Sequence, residues 1–392
     1  MHLINYGKQS LDKSDFKNVK KVLKSDFLTQ GPMVSKFETA LKKKLNSKHC
    51  TVVSSGSAAL HLLGIALGWK KKDIILTTPV SFVATSNCIL YAGAKPIFID
   101  IDENTGNICI LSLQKKIKEL ENKKNKIKAI IAIDYGGCPS DWPKLKMIAK
   151  RKKITLINDG CHALGSAINN NINYAIKYAD FVTYSFHPVK PITTGEGGAI
   201  LTNNKKVDEK IKILRTHGIK KNIKKNIWFY DMKFLGFNYR ITDFQCALGI
   251  GQLRKIEKFN TKRKKIASIY DKSFKNLKFL KTQNISKNFK SSYHLYPLRI
   301  NFKKLKLKKN IFFKKMIKLG IKLQVHYIPI YRHTYYKKIL KIKFSDFPNA
   351  EKFYNNVVSL PVYYDLTKKK QNYIIKSIKQ IISNQSKNYL NE

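Results

Sequence analysis

Apolar residues recur along this chain with two periods. Val34, Phe37, Leu41 and Leu45 follow one another at three- and four-residue steps, which places them on one face of a helix. Apolar runs of strand length, such as residues 129–133, alternate with helical segments. Alternating strands and helices predict an α/β fold with a mostly parallel sheet that helices cover on both sides.

The same pattern divides the chain into two predicted domains. Residues 1–250 would form a large domain that begins with helices at residues 11–24 and 34–45. Residues 251–392 would form a smaller C-terminal α+β domain. Its predicted elements are a long basic helix from Lys255, strands at residues 295–300 and 321–326, and a last helix from Lys368.

Lys190 is the first candidate for chemistry. Residues 179–184 predict a buried strand, and Lys190 lies just beyond its carboxyl end, before a glycine-rich turn. Open α/β sheets bind ligands at that edge. A lysine among apolar and small groups loses solvation, so its neutral amine becomes available to form a Schiff base. The alternative is an ordinary solvated loop lysine.

Asp159 ends a second apolar strand, predicted at residues 154–159, and therefore lies at the same edge as Lys190. A carboxylate that faces a pyridine nitrogen keeps that nitrogen protonated, and a protonated ring is the electron sink that pyridoxal phosphate chemistry requires. The alternative is that Asp159 caps the next helix.

A phosphate site is predicted where a strand at residues 50–53 turns into a helix at residues 58–67. Backbone amides at a helix start attract phosphate. Gly56 would let the backbone come close, and the hydroxyl of Ser57 would add a hydrogen bond beside the free amides of Ser57 and Ala58. An ordinary serine cap would leave the same local pattern.

Four motifs occur in order: Ser-Gly-Ser-Ala-Ala-Leu, Asp-x-x-His-Ala-Leu-Gly, Ser-Phe-x-x-x-Lys-x-Ile-Thr-Thr-Gly-Glu-Gly-Gly and Gly-x-Asn-x-Arg. Together they resemble the DegT/StrS sugar aminotransferases, and the likeness runs from Tyr6 to about the end of the chain. The resemblance implies a fold-type I enzyme that uses pyridoxal 5'-phosphate on nucleotide-linked keto sugars. It also implies a homodimer with shared active sites.

The resemblance assigns roles to three residues near the reacting atoms. Lys190 would hold the cofactor and move the proton during amino transfer. Asp159 would pair with the pyridine nitrogen, and His162 would reach the phenolic oxygen of the ring.

Further cofactor contacts follow from the same resemblance. Ser57 and Ser185 would hold the phosphate beside the helix amides. Phe82 matches the family position whose aromatic ring stacks on the cofactor, although a core phenylalanine would fit the local pattern equally well. Asn238 matches an asparagine that the neighbouring subunit contributes, and residues 220–233 before it align least well with the family.

A narrower likeness points to the branch of the family that serves pseudaminic acid biosynthesis. It rests on residues 81–87, 162–166, 185–187, 294–297 and 324–331. It implies amino transfer from glutamate to C4 of a UDP-linked 4-keto-6-deoxy-N-acetylhexosamine. A same-family aminotransferase for another keto sugar or ring position stays open, because specificity lies in loop geometry.

The nucleotide sugar would be bound along the cleft and its opposite lip. The candidates for this contact are Tyr6, Asp26, Phe27, Leu28, Thr29, Gly56, Ser185, Asn238, His326 and Tyr327. For the lip residues the alternatives are structural: Tyr6 and Phe27 could be ordinary packing groups, and His326 a satisfied histidine at a strand end.

The formal charge of +51, from 76 basic and 25 acidic residues, points in another direction, because it would suit a nucleic-acid binder. The lysines are spread in short runs without an arginine-rich arm, which favours a drift in composition, so no nucleic-acid partner is expected. A basic binding protein that keeps the fold without catalysis is the alternative from another class. The presence of both Lys190 and Asp159 argues against it.

The remaining composition fits a cytoplasmic enzyme. Apolar runs are far shorter than a membrane span and the first residues lack a signal-peptide core, so no membrane partner is expected. The six cysteines and nine histidines show no paired metal-ligand spacing, so no metal is expected. Cysteines inside apolar segments fit a reducing compartment.

Overall fold

A computed structural model describes residues 3–221 and 226–390, the last five of them by their backbone alone. In chain order the strands are β1 (His49–Val53), β2 (Ile74–Thr77), β3 (Lys95–Phe98), β4 (Ile127–Ile133), β5 (Thr155–Asp159), β6 (Ala167–Ile168), β7 (Phe181–Ser185), β8 (Gly198–Thr202), β9 (Ile219–Lys221), β10 (Tyr230–Met232), β11 (Leu280–Lys281), β12 (Phe289–Lys290), β13 (Tyr296–Ile300) and β14 (Val357–Leu360).

The α-helices are α1 (Lys13–Leu23), α2 (Pro32–Leu45), α3 (Gly56–Ala66), α4 (Ala84–Tyr91), α5 (Ile110–Asn122), α6 (Trp142–Lys152), α7 (Tyr174–Tyr178), α8 (Lys205–Leu214), α9 (Asp243–Arg254), α10 (Ile256–Phe274), α11 (Lys309–Lys318), α12 (Thr334–Ile339), α13 (Pro348–Asn356) and α14 (Lys368–Leu390). Short 3₁₀ turns lie at Tyr135–Gly137, Ile330–Arg332 and Phe344–Asp346. Within the described residues, no helix is both long and apolar enough to cross a membrane.

A seven-stranded sheet in the order β1-β8-β7-β5-β4-β2-β3 organises the first part of the chain. The neighbouring strands β3, β2, β4, β5 and β7 pair in parallel, whereas β8 is antiparallel to both β7 and β1. In this sheet β8 alone is therefore reversed, and the predicted mostly parallel sheet is confirmed. The carboxyl ends of β1, β2, β4, β5 and β7 consequently lie along one edge, next to the start of β8.

Helices cover both faces of this sheet because successive strand residues point to opposite sides. Leu156 of β5 packs into a core with helices α2, α5, α6 and α9, while the next residue, Ile157, packs into a second core with α3, α4 and α8. A strand that is buried on both faces has apolar residues at every position. This explains why residues 129–133 are all apolar and show no alternation of apolar and polar residues.

A smaller core lies in the C-terminal part, where α10, α11 and α14 pack on the antiparallel sheet β11-β13-β14. Ile4 belongs to this core too, since its backbone bridges to Ile321. Helix α10 contributes Ile256 and Phe259 to the first core and its later turns to the smaller one. The domain boundary at residue 251 stays a prediction.

The predicted strand at residues 321–326 is wrong. This segment is extended, but its backbone pairs only at single positions, Ile321 with Ile4 and Gln324 with Ser359. It therefore runs beside β14 without forming a ladder. Of the poorly aligned segment at 220–233, residues 222–225 lie outside the described residues.

Candidate active site

The strand ends at the sheet edge bring Lys190 and Asp159 together. Asp159 is the last residue of β5 and pairs in register with Thr183 of the neighbouring β7. Strand β7 ends at Ser185, and Lys190 follows in the turn behind it. The predicted placement of both residues at one edge is confirmed, while their roles stay predictions.

The environment of Lys190 favours a reactive amine. Burial lowers the pKa of Lys190, while Cys161 and the carboxylate of Asp159 oppose that shift. Since burial dominates, Nζ loses its proton at a lower pH than an exposed lysine does. A neutral amine is a nucleophile, so Nζ of Lys190 can attack an aldehyde carbon.

The phosphate turn forms where β1 leads into α3. Helix α3 begins at Gly56, and Oγ of its N-cap residue Ser55 accepts a hydrogen bond from the amide of Ala58 at 3.0 Å. The prediction that the Ala58 amide is free is therefore wrong. Helix geometry still leaves the amides of Gly56 and Ser57 without a partner inside the helix, and Ser57 is exposed.

Gly56 packs directly against the end of β7. A Cβ built on Gly56 would lie 2.8 Å from Cβ of Ser185 and 3.3 Å from Sγ of Cys161. Only a residue without a side chain fits between these groups. The close approach places the open amides of α3 beside the hydroxyl of Ser185, which is the arrangement that a phosphate needs.

Phe82 lies in the loop between β2 and α4 and is 55% exposed. The alternative of an ordinary core phenylalanine is therefore wrong. Its ring centroid lies 6.1 Å from that of Tyr327, so two aromatic rings border the cleft. An exposed ring at this edge is suited to cover the face of a flat cofactor.

His162 is buried and neutral. Its Nδ1 lies 3.3 Å from the amide nitrogen of Gly136, and its Nε2 lies 2.9 Å from the hydroxyl of Tyr327. The amide can only donate, so the single ring proton lies on Nε2 and is directed at Tyr327. Burial lowers the pKa of His162 well below its ordinary value, which agrees with this assignment.

Two further histidines pack around this contact. The ring of His294 lies 4.5 Å from that of His162, and Nδ1 of His326 lies 2.8 Å from Oγ of Ser359. Burial lowers the pKa of His326 to about 3, with the Lys190 charge adding to the shift. His326 thus has the contacts of a satisfied buried histidine, as the structural alternative expects, although it is not at a strand end. Tyr6 joins the group through its ring, 5.2 Å from His326.

Other substrate candidates contact the start of α9 and the segment after α8. Residues 26–29 are exposed and pack at the start of α9, where the carbonyl of Leu28 accepts from the amide of Asp243 at 2.9 Å. Asn238 is exposed as well, and its backbone bridges to Thr216. Their predicted substrate contacts remain predictions.

Sequence reasoning missed two residues that hold Asp159. Oγ1 of Thr85 donates to Oδ2 of Asp159 at 2.7 Å, and Oγ of Ser81 lies 2.6 Å from the same threonine oxygen. The signal available in the sequence was their four-residue spacing at the start of a helix, next to Phe82. Serine and threonine are common in such positions as caps, so this signal is weak.

The assembled residues fit pyridoxal phosphate. The edge offers a carboxylate for a ring nitrogen, a desolvated amine for an aldehyde, and a glycine cradle beside hydroxyls and amides for a phosphate. Among residues 3–221 and 226–390, no group of three His, Cys, Asp or Glu residues is placed to hold a metal ion.

Comparison with known proteins agrees with this geometry. The model of the DegT/DnrJ/EryC1/StrS aminotransferase family matches residues 9–379. The UDP-4-amino-4,6-dideoxy-N-acetyl-beta-L-altrosamine transaminase of Campylobacter jejuni subsp. jejuni serotype O:23/36 (strain 81-176) is 41% identical over 388 residues, which are 99% of this chain and 100% of that protein.

Solved structures show the same fold. Helicobacter pylori PseC, an aminotransferase involved in the biosynthesis of pseudoaminic acid, has a TM-score of 0.89 at 34% identity, covering 97% of this chain and 100% of that one. The PLP-form of the putative sugar aminotransferase Spr1654 from Streptococcus pneumoniae has a TM-score of 0.89 at 26% identity, covering 98% and 100%.

Proposed function

This chain belongs to the DegT/DnrJ/EryC1/StrS aminotransferase family, and we propose that it transfers an amino group from glutamate to C4 of a UDP-linked 4-keto-6-deoxy-N-acetylhexosamine. The product would be UDP-4-amino-4,6-dideoxy-N-acetyl-β-L-altrosamine, which serves pseudaminic acid biosynthesis. The observation that carries the reaction class is the desolvated amine of Lys190 at the sheet edge beside Asp159. The 41% identity with the Campylobacter transaminase supports the choice of sugar.

Pyridoxal 5'-phosphate is the cofactor and, when bound, supplies an electron sink for the carbon next to the transferred nitrogen. Asp159 would pair with the ring nitrogen. The amides of Gly56 and Ser57 and the hydroxyls of Ser57 and Ser185 would hold the phosphate. Phe82 would cover one face of the ring.

Lys190 would carry the proton transfers. Its Nζ would take the proton from the α-carbon of glutamate and later return one to C4 of the sugar. The lowered pKa keeps Nζ available as a neutral base. The sequence predicts that His162 reaches the phenolic oxygen of the ring. Because the His162 proton is directed at Tyr327, the Tyr327 hydroxyl, which keeps its own proton, would donate to that oxygen instead.

Two copies of the chain would share their active sites. An exposed apolar cluster formed by Ile227, Trp228, Tyr230, Met232 and Leu235 lies on and beside β10. Apolar patches of this kind mark interaction surfaces in soluble proteins. Asn238 lies three residues beyond Leu235 and is itself exposed, which suits a residue that reaches the site of a neighbouring subunit.

Mixing two inactive variants tests this sharing. A Lys190→Ala chain and an Asn238→Ala chain are combined, unfolded, refolded together and assayed. If Asn238 acts across the interface, each mixed dimer contains one intact site and activity returns. If both residues act in the same subunit, every site lacks one of them and the mixture stays inactive.

The proposal also places the enzyme in the cytoplasm. The six cysteines are free, with four of them buried, which suits a compartment where thiols stay reduced. Fractionation of the producing cells with antibody detection tests this placement, and recovery in a secreted or envelope fraction would contradict it.

The reaction is tested with purified protein loaded with pyridoxal phosphate. Glutamate should bleach the visible absorbance, the UDP-linked 4-keto sugar should restore it, and mass spectrometry should detect the amino sugar. Lys190→Ala should abolish turnover with the dimer intact, whereas Lys205→Ala, at an exposed position of α8, should leave it unchanged. Turnover by Lys190→Ala at the rate of the unaltered chain would contradict the mechanism.

The same experiment separates the alternatives. Bleaching by glutamate without recovery on this sugar would keep the aminotransferase and direct the search to other nucleotide-linked keto sugars. A protein that shows no absorbance change even with added pyridoxal phosphate would instead be a binding protein that keeps the fold.

A further inference from the structure

Three buried side chains form a hydrogen-bonded series that ends at the carboxylate of Asp159. Oδ2 of Asp159 lies 2.7 Å from Oγ1 of Thr85, and that oxygen lies 2.6 Å from Oγ of Ser81. On its other side, Oδ1 of Asp159 lies 3.3 Å from the amide nitrogen of Cys161. Thr85 is fully buried and Ser81 nearly so, which excludes water from the two hydroxyl contacts.

The direction of the hydrogen bonds follows from the number of protons. A carboxylate can only accept a hydrogen bond, so Thr85 donates its single hydroxyl proton to Asp159. The oxygen of Thr85 can then only accept from Ser81, whose hydroxyl must donate. The order is therefore Ser81 to Thr85 to Asp159, and each bond in such a chain polarises the next one.

The hydrogen-bonded series of Ser81, Thr85 and Asp159 connects several parts of the fold. Ser81 and Thr85 flank Phe82, so one short segment between β2 and α4 carries both the exposed ring and the support of the carboxylate. The C-terminal part holds the segment in place. The amide of Ile330 donates to the carbonyl of Pro79 at 2.9 Å, and the hydroxyl of Tyr336 donates to Oδ1 of Asn87 at 2.7 Å.

We infer that Thr85, supported by Ser81, is a positioning residue that fixes the plane of the Asp159 carboxylate toward the ring nitrogen of the cofactor. This inference rests on the proposed function, because it concerns the cofactor of that reaction. Hydrogen bonds to the charged form of a carboxylate stabilise its negative charge. The charge of Asp159 in turn keeps the ring nitrogen protonated, so loss of the Thr85 hydroxyl weakens the electron sink without removing any group that touches the substrate.

The test compares Thr85→Val, which has nearly the same shape, with Thr85→Ser, which restores the hydroxyl. Each variant is loaded with pyridoxal phosphate labelled with ¹⁵N in its ring, and the nitrogen chemical shift is followed against pH. Thr85→Val should lower the pH midpoint at which the ring nitrogen loses its proton by about one unit, a tenfold change in its equilibrium. Thr85→Ser should return the midpoint toward that of the unaltered protein.

Kinetics supply a second readout. Thr85→Val should lower kcat by about tenfold or more while the KM for the sugar stays the same, because the lost interaction acts on the reacting state. Thr78→Val is the matched control. Thr78 is also buried in this segment, and its hydroxyl has no hydrogen-bond partner among the described residues, so its removal should move neither readout.

An unchanged nitrogen midpoint and kcat in Thr85→Val, with only a lower melting temperature, would overturn the proposal and leave Thr85 a structural residue. If Thr85→Val does not fold, Ser81→Ala takes its place and should shift the midpoint less, in the same direction; no shift there overturns the proposal too. The nitrogen signal needs neither glutamate nor sugar. Failure of sugar turnover in the unaltered protein would therefore refute the proposed substrate and leave this test standing.

Discussion

Gly56 and Ser185 lie so close together that a side-chain carbon on Gly56 would be 2.8 Å from Cβ of Ser185. The first residue of α3 and the last residue of β7 thus meet without space for a methyl group. Two Cβ atoms in a folded protein do not approach each other this closely, so the packing of α3 against β7 depends on glycine at position 56.

Gly56→Ala should weaken cofactor binding. The added methyl must push the start of α3 away from Ser185, at a cost of about 1–3 kcal/mol. We expect the dissociation constant of pyridoxal phosphate, measured by absorbance titration, to rise about tenfold or more. Gly7→Ala is the control, since its Cβ would lie 3.5 Å from Val189, an ordinary contact. Equal affinity in Gly56→Ala and the unaltered chain would contradict the assigned cradle.

Tyr327→Phe should destabilise the protein before any substrate is added. Removing the hydroxyl leaves the buried Nε2 proton of His162 without its acceptor at 2.9 Å, which costs about 1–3 kcal/mol. The free energy of unfolding in urea checks this value. Tyr335→Phe, at an exposed position, should leave it unchanged. Equal stability of Tyr327→Phe would show that the two groups are not coupled.

Capture of pyridoxal phosphate by the cofactor-free protein should depend on pH through Lys190. Only the neutral amine attacks, so the rate rises with pH and levels off above the pKa of this amine. Because burial lowers that pKa from its ordinary value of 10.5, the midpoint should lie below 10.5. Stopped-flow absorbance measures it, and a midpoint at or above the ordinary value would contradict the desolvated site.

Asp159→Asn tests, in the same measurement, the direction in which the Asp159 charge shifts the pKa of Lys190. The negative charge of Asp159 opposes the lowering of the Lys190 pKa, so its removal should move the midpoint to a still lower pH. A shift to higher pH would mean that the two groups do not interact as their placement indicates.

Thiol labelling should reveal the cofactor pocket through Cys161. Within the described residues only Cys109 and Cys161 are partly exposed, and the other four cysteines are buried. Burial raises the pKa of Cys161 well above its ordinary value, so labelling should be slow. Bound pyridoxal phosphate should protect Cys161 and leave Cys109 reactive, as mass spectrometry of the alkylated protein would show. Equal labelling of Cys161 with and without cofactor would place it outside the pocket.

The sequence could predict the strand-end residues because the fold has a simple rule. In a parallel sheet, apolar runs of strand length all end at one edge, so Lys190 and Asp159 could be assigned to the same edge from their positions alone. The phosphate turn was accessible for a similar reason, since a helix that starts directly after a strand carries its open amides to that edge.

Contacts between distant parts of the chain could not be predicted in this way. Residues 321–326 look like a strand, but Ser359 offers a backbone partner only to Gln324, so no ladder forms. The free amide expected at Ala58 is used by Ser55, because a side chain at an N-cap competes with any ligand for the first amides.

The sequence by itself determined the alternation of strands and helices, the mostly parallel sheet with helices on both sides, and the residue types at the strand ends, since these depend on periodicity and local turn chemistry. Only the tertiary structure decided that Thr85 holds Asp159, 74 residues away, and that His162 is paired with Tyr327, 165 residues away. Such pairs depend on how loops from different elements pack against each other. No local pattern encodes that packing, because hydroxyl and imidazole groups can find partners in many positions and the fold selects one.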